Sequence, residues 1–177
     1  MSENMLVAGV GNIFRGDDGF GSAVIEWLAA DGAQQWPDWL VLKDFGIRGV
    51  HLAYELLDGY DDLVLVDTMH RDGPPGTLYV VQPDLSSAPA GGSMLDAHDM
   101  APESVLALVP ALGGQLGRVT VVGCEPVSLA DGIGLSPLVA ARVPEAGRLV
   151  LDLAHRAVRG ATPRQPEGSH PHESGGQ

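Results

Sequence analysis

The chain has 177 residues, 45% of them hydrophobic, and its 10 Lys and Arg residues stand against 23 Asp and Glu residues, for a formal net charge of −13. This length fits one domain with a substantial core, and the negative charge repels phosphate backbones and anionic lipid, so we expect neither a nucleic acid nor a membrane partner. The first residues, MSENMLVAGV, lack the basic and long apolar regions of a signal peptide, and the single Cys124 cannot form an internal disulfide, so we expect a cytoplasmic protein.

Short apolar runs rich in Val and Leu predict buried strands at residues 5–11, 39–46, 61–69 and 117–125. Segments with the apolar spacing of helices separate these runs, so strands and helices alternate. Residues 76–82 follow the third run after a turn too short for a crossover helix, which predicts an antiparallel edge strand. The pattern predicts an α/β fold, a three-layer α/β/α sandwich with a mostly parallel twisted sheet of about five strands.

The second half of the chain begins with a long polar segment rich in Gly, Pro and Ser, residues 83–100, of a length that is usually functional or disordered. Helical patterns follow at 101–112 and 136–159, and the latter restarts near Pro144, a residue suited to the first turn of a helix. Beyond residue 160 almost no large apolar side chain is present to drive packing. We predict one domain over residues 1–160 and a disordered tail over residues 161–177.

The sequence GVGNIFRGDDGFG, residues 9–21, lies between the first strand and a helix, as a dinucleotide-binding turn would. Phe14 stands where that motif needs its third glycine, and Asp17 and Asp18 would repel a pyrophosphate at the helix N-terminus. We therefore predict no nucleotide cofactor. Consecutive acidic side chains point in different directions, so we expect Asp17 to cap the helix and Asp18 to face the crevice above the sheet.

Asp67 ends the apolar run LVLVD at the tip of a buried strand, where open α/β sheets bind ligands. If the first and third strands are neighbours, Asp18 and Asp67 flank the same switch point. A histidine could join them, either His98 in the long loop or His70 just past Asp67, and spacing alone leaves that choice close. One imidazole and two carboxylates suit a divalent ion such as Zn, Ni or Fe, whereas the two carboxylates alone could serve as an acid/base pair.

The order and spacing of five features closely resemble those of the hydrogenase maturation endopeptidases, over residues 5–158 or so. The features are GVGN, DDGFG, LVLVD, the loop histidine, and GIGLSP at 132–137. The resemblance implies an α/β domain that removes a short C-terminal extension from the precursor large subunit of a [NiFe]-hydrogenase after nickel insertion. The metal-contacting positions of that family fall on Asp18, Asp67 and His98 here, which favours His98 over His70. The nickel that the resemblance implies is the ion already seated in the substrate. The implied partner is the precursor large subunit, and the implied enzyme is a monomer.

The resemblance also bears on substrate recognition. DFGIRG, residues 44–49, stands where some relatives have a glycine pair and a small polar residue, in a loop that meets the substrate tail. We therefore expect Phe45, Gly46 and Arg48 to bind substrate.

Two chemical mechanisms and one alternative function are compatible with the resemblance. Asp18 or Asp67 would act as a general base on water, or the metal would polarise the scissile carbonyl or a bound water. The alternative is a non-catalytic nickel-binding or chaperone module that uses the same ligands without cutting.

Overall fold

The computed structural model describes residues 4–30, 36–84 and 102–160 of the chain. The strands are β1 (Met5–Val10), β2 (Leu40–Gly46), β3 (Asp62–Thr68), β4 (Leu78–Val81) and β5 (Arg118–Cys124). The helices are α1 (Phe20–Ala30), α2 (Gly49–Leu56), α3 (Pro102–Ala111), α4 (Pro137–Ala140) and α5 (Val143–Gly160), and a 3-10 turn over Gly16–Gly19 leads into α1.

The five strands form one sheet in the order β2-β1-β3-β5-β4. β1 pairs in parallel with both β2 and β3, and β3 pairs in parallel with β5, whereas β4 runs antiparallel to β5 at the edge. The predicted mostly parallel sheet and its antiparallel edge strand are therefore confirmed. Because four strands point the same way, their C-terminal ends meet along one side of the sheet, which we call the carboxyl edge.

An apolar core covers each face of the sheet. On one face α1 and α5 pack around Phe20, Leu28 and Val150, and on the other α2 and α3 pack around Leu52 and Leu106. Since both faces are covered, β1 and β3 consist mainly of buried residues, as their continuous apolar runs predict. The three-layer α/β/α sandwich is confirmed.

Two glycines let the backbone come unusually close to itself at the carboxyl edge. A Cβ on Gly21 would lie 2.3 Å from the carbonyl oxygens of both Val10 and Val66. A Cβ on Gly11, whose φ is +125°, would lie 2.0 Å from the carbonyl oxygen of Asp18. These glycines therefore allow the 3-10 turn and the start of α1 to sit directly against the ends of β1 and β3.

The helical pattern predicted for residues 136–159 is two helices, the single-turn α4 and then α5, which has Pro144 in its first turn as predicted. Most of the polar segment 83–100 and all of the tail 161–177 lie outside the described residues. Within the described ranges no helix is both long and apolar enough to cross a membrane.

Candidate functional site

Asp18 lies at the carboxyl edge, in the crevice between the ends of β1 and β3. Its Oδ2 accepts a hydrogen bond from the backbone N–H of Asn12 at 2.9 Å, and its Oδ1 accepts one from the hydroxyl of Thr68 at 3.0 Å. The side chain is half-buried. The GVGN turn and the end of β3 therefore fix both oxygens of this carboxylate in place.

Asp67 lies beside Asp18 at the end of β3. Its Oδ1 accepts the backbone N–H of Thr68 at 2.7 Å and lies 3.4 Å from the Thr68 hydroxyl oxygen, the same oxygen that contacts Asp18. The same Oδ1 would be 3.5 Å from a Cβ on Gly11. The structure thus brings Asp18 and Asp67 to one point, with a single threonine hydroxyl between the two carboxylates.

The third predicted ligand, His98, lies outside the described residues. Among the residues that the structure describes, no group of three His, Cys, Asp or Glu side chains is arranged to hold a metal ion. Asp18 and Asp67 supply two adjacent carboxylates, which are suitable ligands for a divalent cation but leave most of its coordination positions open. The pair is therefore suited to contact a metal ion whose remaining ligands come from another source.

The three predicted substrate-binding residues occupy different environments at the end of β2. Phe45 is 6% exposed and its side chain belongs to the core, whereas Arg48 is exposed and its Nε donates to the Phe45 carbonyl at 3.3 Å. The Gly46 carbonyl accepts the Gly11 N–H at 3.0 Å, which joins this loop to the GVGN turn. Substrate contact by the loop would therefore come from its backbone, Arg48 and the half-exposed Ile47 rather than from the Phe45 ring.

An open groove of about 420 Å³ continues from this loop along β2 and α2. Its lining carries both signs of charge, with Lys43 bonded to Glu55 at 2.6 Å and Arg48 nearby. The groove begins at the loop that is joined to the GVGN turn through Gly46, and Asp18 and Asp67 are not among its lining residues.

The expectation that Asp17 caps α1 is wrong. Its carboxylate is 1% exposed and accepts the backbone N–H groups of Val127 at 2.8 Å, Ser128 at 3.1 Å and Ser136 at 2.6 Å. It also accepts the Ser136 hydroxyl at 3.0 Å. Burial alone would raise the pKa of Asp17, but these hydrogen bonds outweigh it and hold the pKa below its ordinary value. Asp17 is therefore an ionised anchor for the loop between β5 and α4.

A second acidic group at the carboxyl edge, Glu125, follows the end of β5. It is 1% exposed and bonds to the imidazole Nδ1 of His70, to the Arg71 N–H at 2.8 Å and to the Tyr79 hydroxyl at 2.8 Å. Burial favours a raised pKa, yet the hydrogen bond with His70 and the others lower the pKa of Glu125 to about 2. The hydrogen bond with Glu125 in turn raises the pKa of His70.

Sequence reasoning did not identify the Glu125 cluster. One signal was present, since Glu125 follows a buried apolar strand at the same edge as Asp67. His70 was identified only as a rival metal ligand, and its bond to Glu125 gives it a structural role in ordering the segment that follows Asp67. Next to Glu125, burial raises the pKa of Cys124 to about 11, so this thiol is protonated and serves as a packing residue.

The chain is similar to proteins of hydrogenase assembly. The model of a family described as hydrogenase maturation protease matches residues 23–153. The hydrogenase expression/formation protein HupM of Azotobacter chroococcum is 34% identical over 167 residues, which cover 93% of this chain and 78% of HupM. The hydrogenase 2 maturation protease of Escherichia coli is 29% identical over 163 residues, 91% of this chain and 96% of that protein.

The solved structures agree with the sequence comparisons. The hydrogenase maturating endopeptidase HybD from E. coli superposes with a TM-score of 0.72 at 27% identity, covering 87% of this chain and 93% of HybD. A hydrogenase 2 maturation peptidase from a Thaumarchaeota archaeon is 30% identical with a TM-score of 0.60, over 88% of this chain and 98% of that one. The likeness therefore extends across the sheet and its flanking helices.

Proposed function

The chain belongs to the hydrogenase maturation protease family, and from that premise we propose that it is the endopeptidase that removes a short C-terminal extension from a [NiFe]-hydrogenase large-subunit precursor after nickel insertion. The observation that carries the proposal is the pair of carboxylates, Asp18 and Asp67, held on either side of one hydroxyl at the carboxyl edge. We expect the reaction to take place in the cytoplasm and the enzyme to act as a monomer.

We propose that the pair recognises nickel that is already seated in the substrate. Nickel is a borderline ion that accepts oxygen and nitrogen ligands, and two adjacent carboxylates leave room for the ligands that the substrate itself provides. His98, if its loop reaches the carboxyl edge, would add an imidazole to the two carboxylates. Contact with the ion would place the precursor tail beside the acidic pair only when the metal has been inserted.

For the hydrolysis, we assign the general base to this acidic pair. A carboxylate of Asp18 or Asp67 takes a proton from a water molecule as the water oxygen bonds to the scissile carbonyl carbon. The protonated carboxyl group then returns that proton to the leaving nitrogen as the carbon–nitrogen bond breaks. The products are the shortened large subunit, ending in a carboxylate, and the released peptide, and the enzyme returns to its starting state.

The proposal is tested by incubating nickel-loaded precursor large subunit from the same cell with the wild type and with Asp67→Asn or Asp18→Asn. Asparagine keeps the shape of the side chain but cannot take a proton from water, so we expect the rate of peptide release to fall by about 100-fold or more. The rate is followed by the mass of the large subunit. Asp152→Asn, on the exposed side of α5, is the matched control and should cleave at the wild-type rate.

Full processing by Asp67→Asn and by Asp18→Asn would contradict the assignment of the base. If the wild type itself bound the loaded precursor and released no peptide, the protein would be a chaperone that uses these residues as ligands alone.

A further inference from the structure

Three large apolar side chains project into solvent from two loops, of which the first contacts Asp18 through Asn12 and the second is hydrogen-bonded to Asp17. Ile13 and Phe14, in the loop between β1 and the 3-10 turn, are 48% and 62% exposed, and Ile133, in the loop between β5 and α4, is 84% exposed. We call these three residues the apolar ridge. Several exposed large apolar side chains on loops that are joined through their backbones mark an interaction surface.

The backbone holds the two loops of the ridge together. Gly132 donates its N–H to the Phe14 carbonyl at 2.9 Å, and Gly16 donates its N–H to the Gly132 carbonyl at 2.9 Å. The buried Asp17 carboxylate accepts four further hydrogen bonds from the loop between β5 and α4. The ridge is therefore ordered before any partner arrives, which lowers the entropic cost of binding.

The ridge is continuous with the acidic pair. Phe14 donates its N–H to the Asn12 side-chain oxygen at 2.9 Å, and Asn12 donates its N–H to the Asp18 carboxylate at 2.9 Å. A protein whose scissile bond reaches Asp18 must therefore lie close to the surface that carries Phe14. This step rests on the function proposed above.

We propose that the apolar ridge binds the folded body of the hydrogenase large-subunit precursor. The ridge enters an apolar depression on the precursor, next to the point where the C-terminal extension begins. Ile133 is 84% exposed and stands between Gly132 and Gly134, around whose Cβ positions no atom lies within 4 Å, so its side chain projects from the loop into solvent. A projecting side chain gains contact area by entering a depression, which a folded protein offers and a short extended peptide does not. The extension itself runs along the polar groove to the acidic pair.

The proposal is tested by measuring the Kd of nickel-loaded precursor for the wild type, for the double variant Phe14→Ser/Ile133→Ser, and for Leu112→Ser. Leu112 is a 39% exposed residue that follows α3 at the opposite edge of the sheet and is the matched control. We expect the double variant to raise Kd, and KM for precursor cleavage, tenfold or more, as truncation of central interface residues does, with kcat changed less than about twofold. Leu112→Ser should change neither, and thermal unfolding should be the same in all three.

Three results would overturn the inference. An unchanged Kd in the double variant would show that the ridge does not contact the precursor, whether or not the wild type cleaves it. A wild-type dimer that the double variant dissociates would make the ridge a contact between two copies of this chain. Equal weakening of binding to an isolated peptide of the C-terminal extension would assign the ridge to the tail. If the wild type binds the precursor but does not cleave it, the proposed function is wrong. The Kd comparison still decides whether the ridge binds the precursor.

Discussion

At the scale of single residues, two adjacent aspartates have opposite surroundings. Asp17 is buried beneath backbone amides of a loop more than 100 residues later in the sequence, and Asp18 faces the crevice next to Asp67. The sequence predicts this division, because neighbouring side chains in a turn diverge. It does not predict the partners of Asp17, because the loop that surrounds it is brought there by the pairing of distant strands.

Glu125 and His70 form an ion pair whose contribution to stability depends on pH. The folded pKa of Glu125, about 2, is below its usual 4.5, so its contribution is present above pH 4.5 and is lost as pH falls toward 2. The folded pKa of His70 is above its usual 6.5, so its contribution is present below pH 6.5 and is lost as pH rises through the folded value. The pair therefore stabilises the fold most between about pH 4.5 and 6.5.

We predict that Glu125→Gln lowers the melting temperature by at least several degrees at pH 5.5. The difference shrinks as the pH falls from 4.5 toward 2, because the carboxyl group of the unfolded chain is protonated first, and it also shrinks as the pH rises above 6.5 through the folded pKa of His70. Thermal unfolding of the variant and the wild type over this pH series checks the prediction. Glu26→Gln, at an exposed position of α1, is the control and should leave the melting temperature unchanged. A constant difference between wild type and Glu125→Gln at all pH values would show that the ion pair does not stabilise the fold.

At the scale of elements, regular structure follows closely from the sequence and the loops do not. The apolar runs predict all four parallel strands to within a residue or two of their observed ends. The signal is strongest for β1 and β3, which are buried on both faces, and weaker for β2, an edge strand that exposes Lys43 and Asp44. The short turn before residues 76–82 predicts the direction of β4. The loops are set instead by hydrogen bonds to single side chains, such as those of Asp17 and Glu125, which leave no periodic pattern.

Asp17 ties the 3-10 turn to the loop between β5 and α4. We predict that Asp17→Ala lowers the free energy of unfolding by roughly 2 to 4 kcal/mol, because it removes the buried carboxylate that accepts three backbone N–H groups and one hydroxyl of this loop. Urea denaturation gives this value, and faster amide hydrogen exchange at Ser128 and Ser136 would locate the change in the loop. Asp131→Ala, an exposed residue of the same loop, should cost less than about 0.5 kcal/mol. Equal stability of the two variants would contradict the anchoring role of Asp17.

At the scale of the whole molecule, the topology gathers the chemistry at the carboxyl edge. Because β1 and β3 are neighbours at the centre of the sheet, the GVGN turn, the 3-10 turn and the end of β3 all meet there. The sequence predicts that Asp18 and Asp67 lie together for this reason. The apolar ridge is beyond such reasoning, since no pattern in the sequence shows that Phe14 and Gly132 are joined.

We propose that nickel in the precursor admits the precursor to the acidic pair and so permits cleavage. A decisive experiment measures the mass of nickel-loaded and of nickel-free precursor large subunit from the same cell after each has been incubated with this protein. We predict that the loaded form loses a short C-terminal peptide and that the nickel-free form keeps its full mass. Cleavage of both forms at the same rate would show that nickel does not control access, and cleavage of neither would show that the protein is not the peptidase.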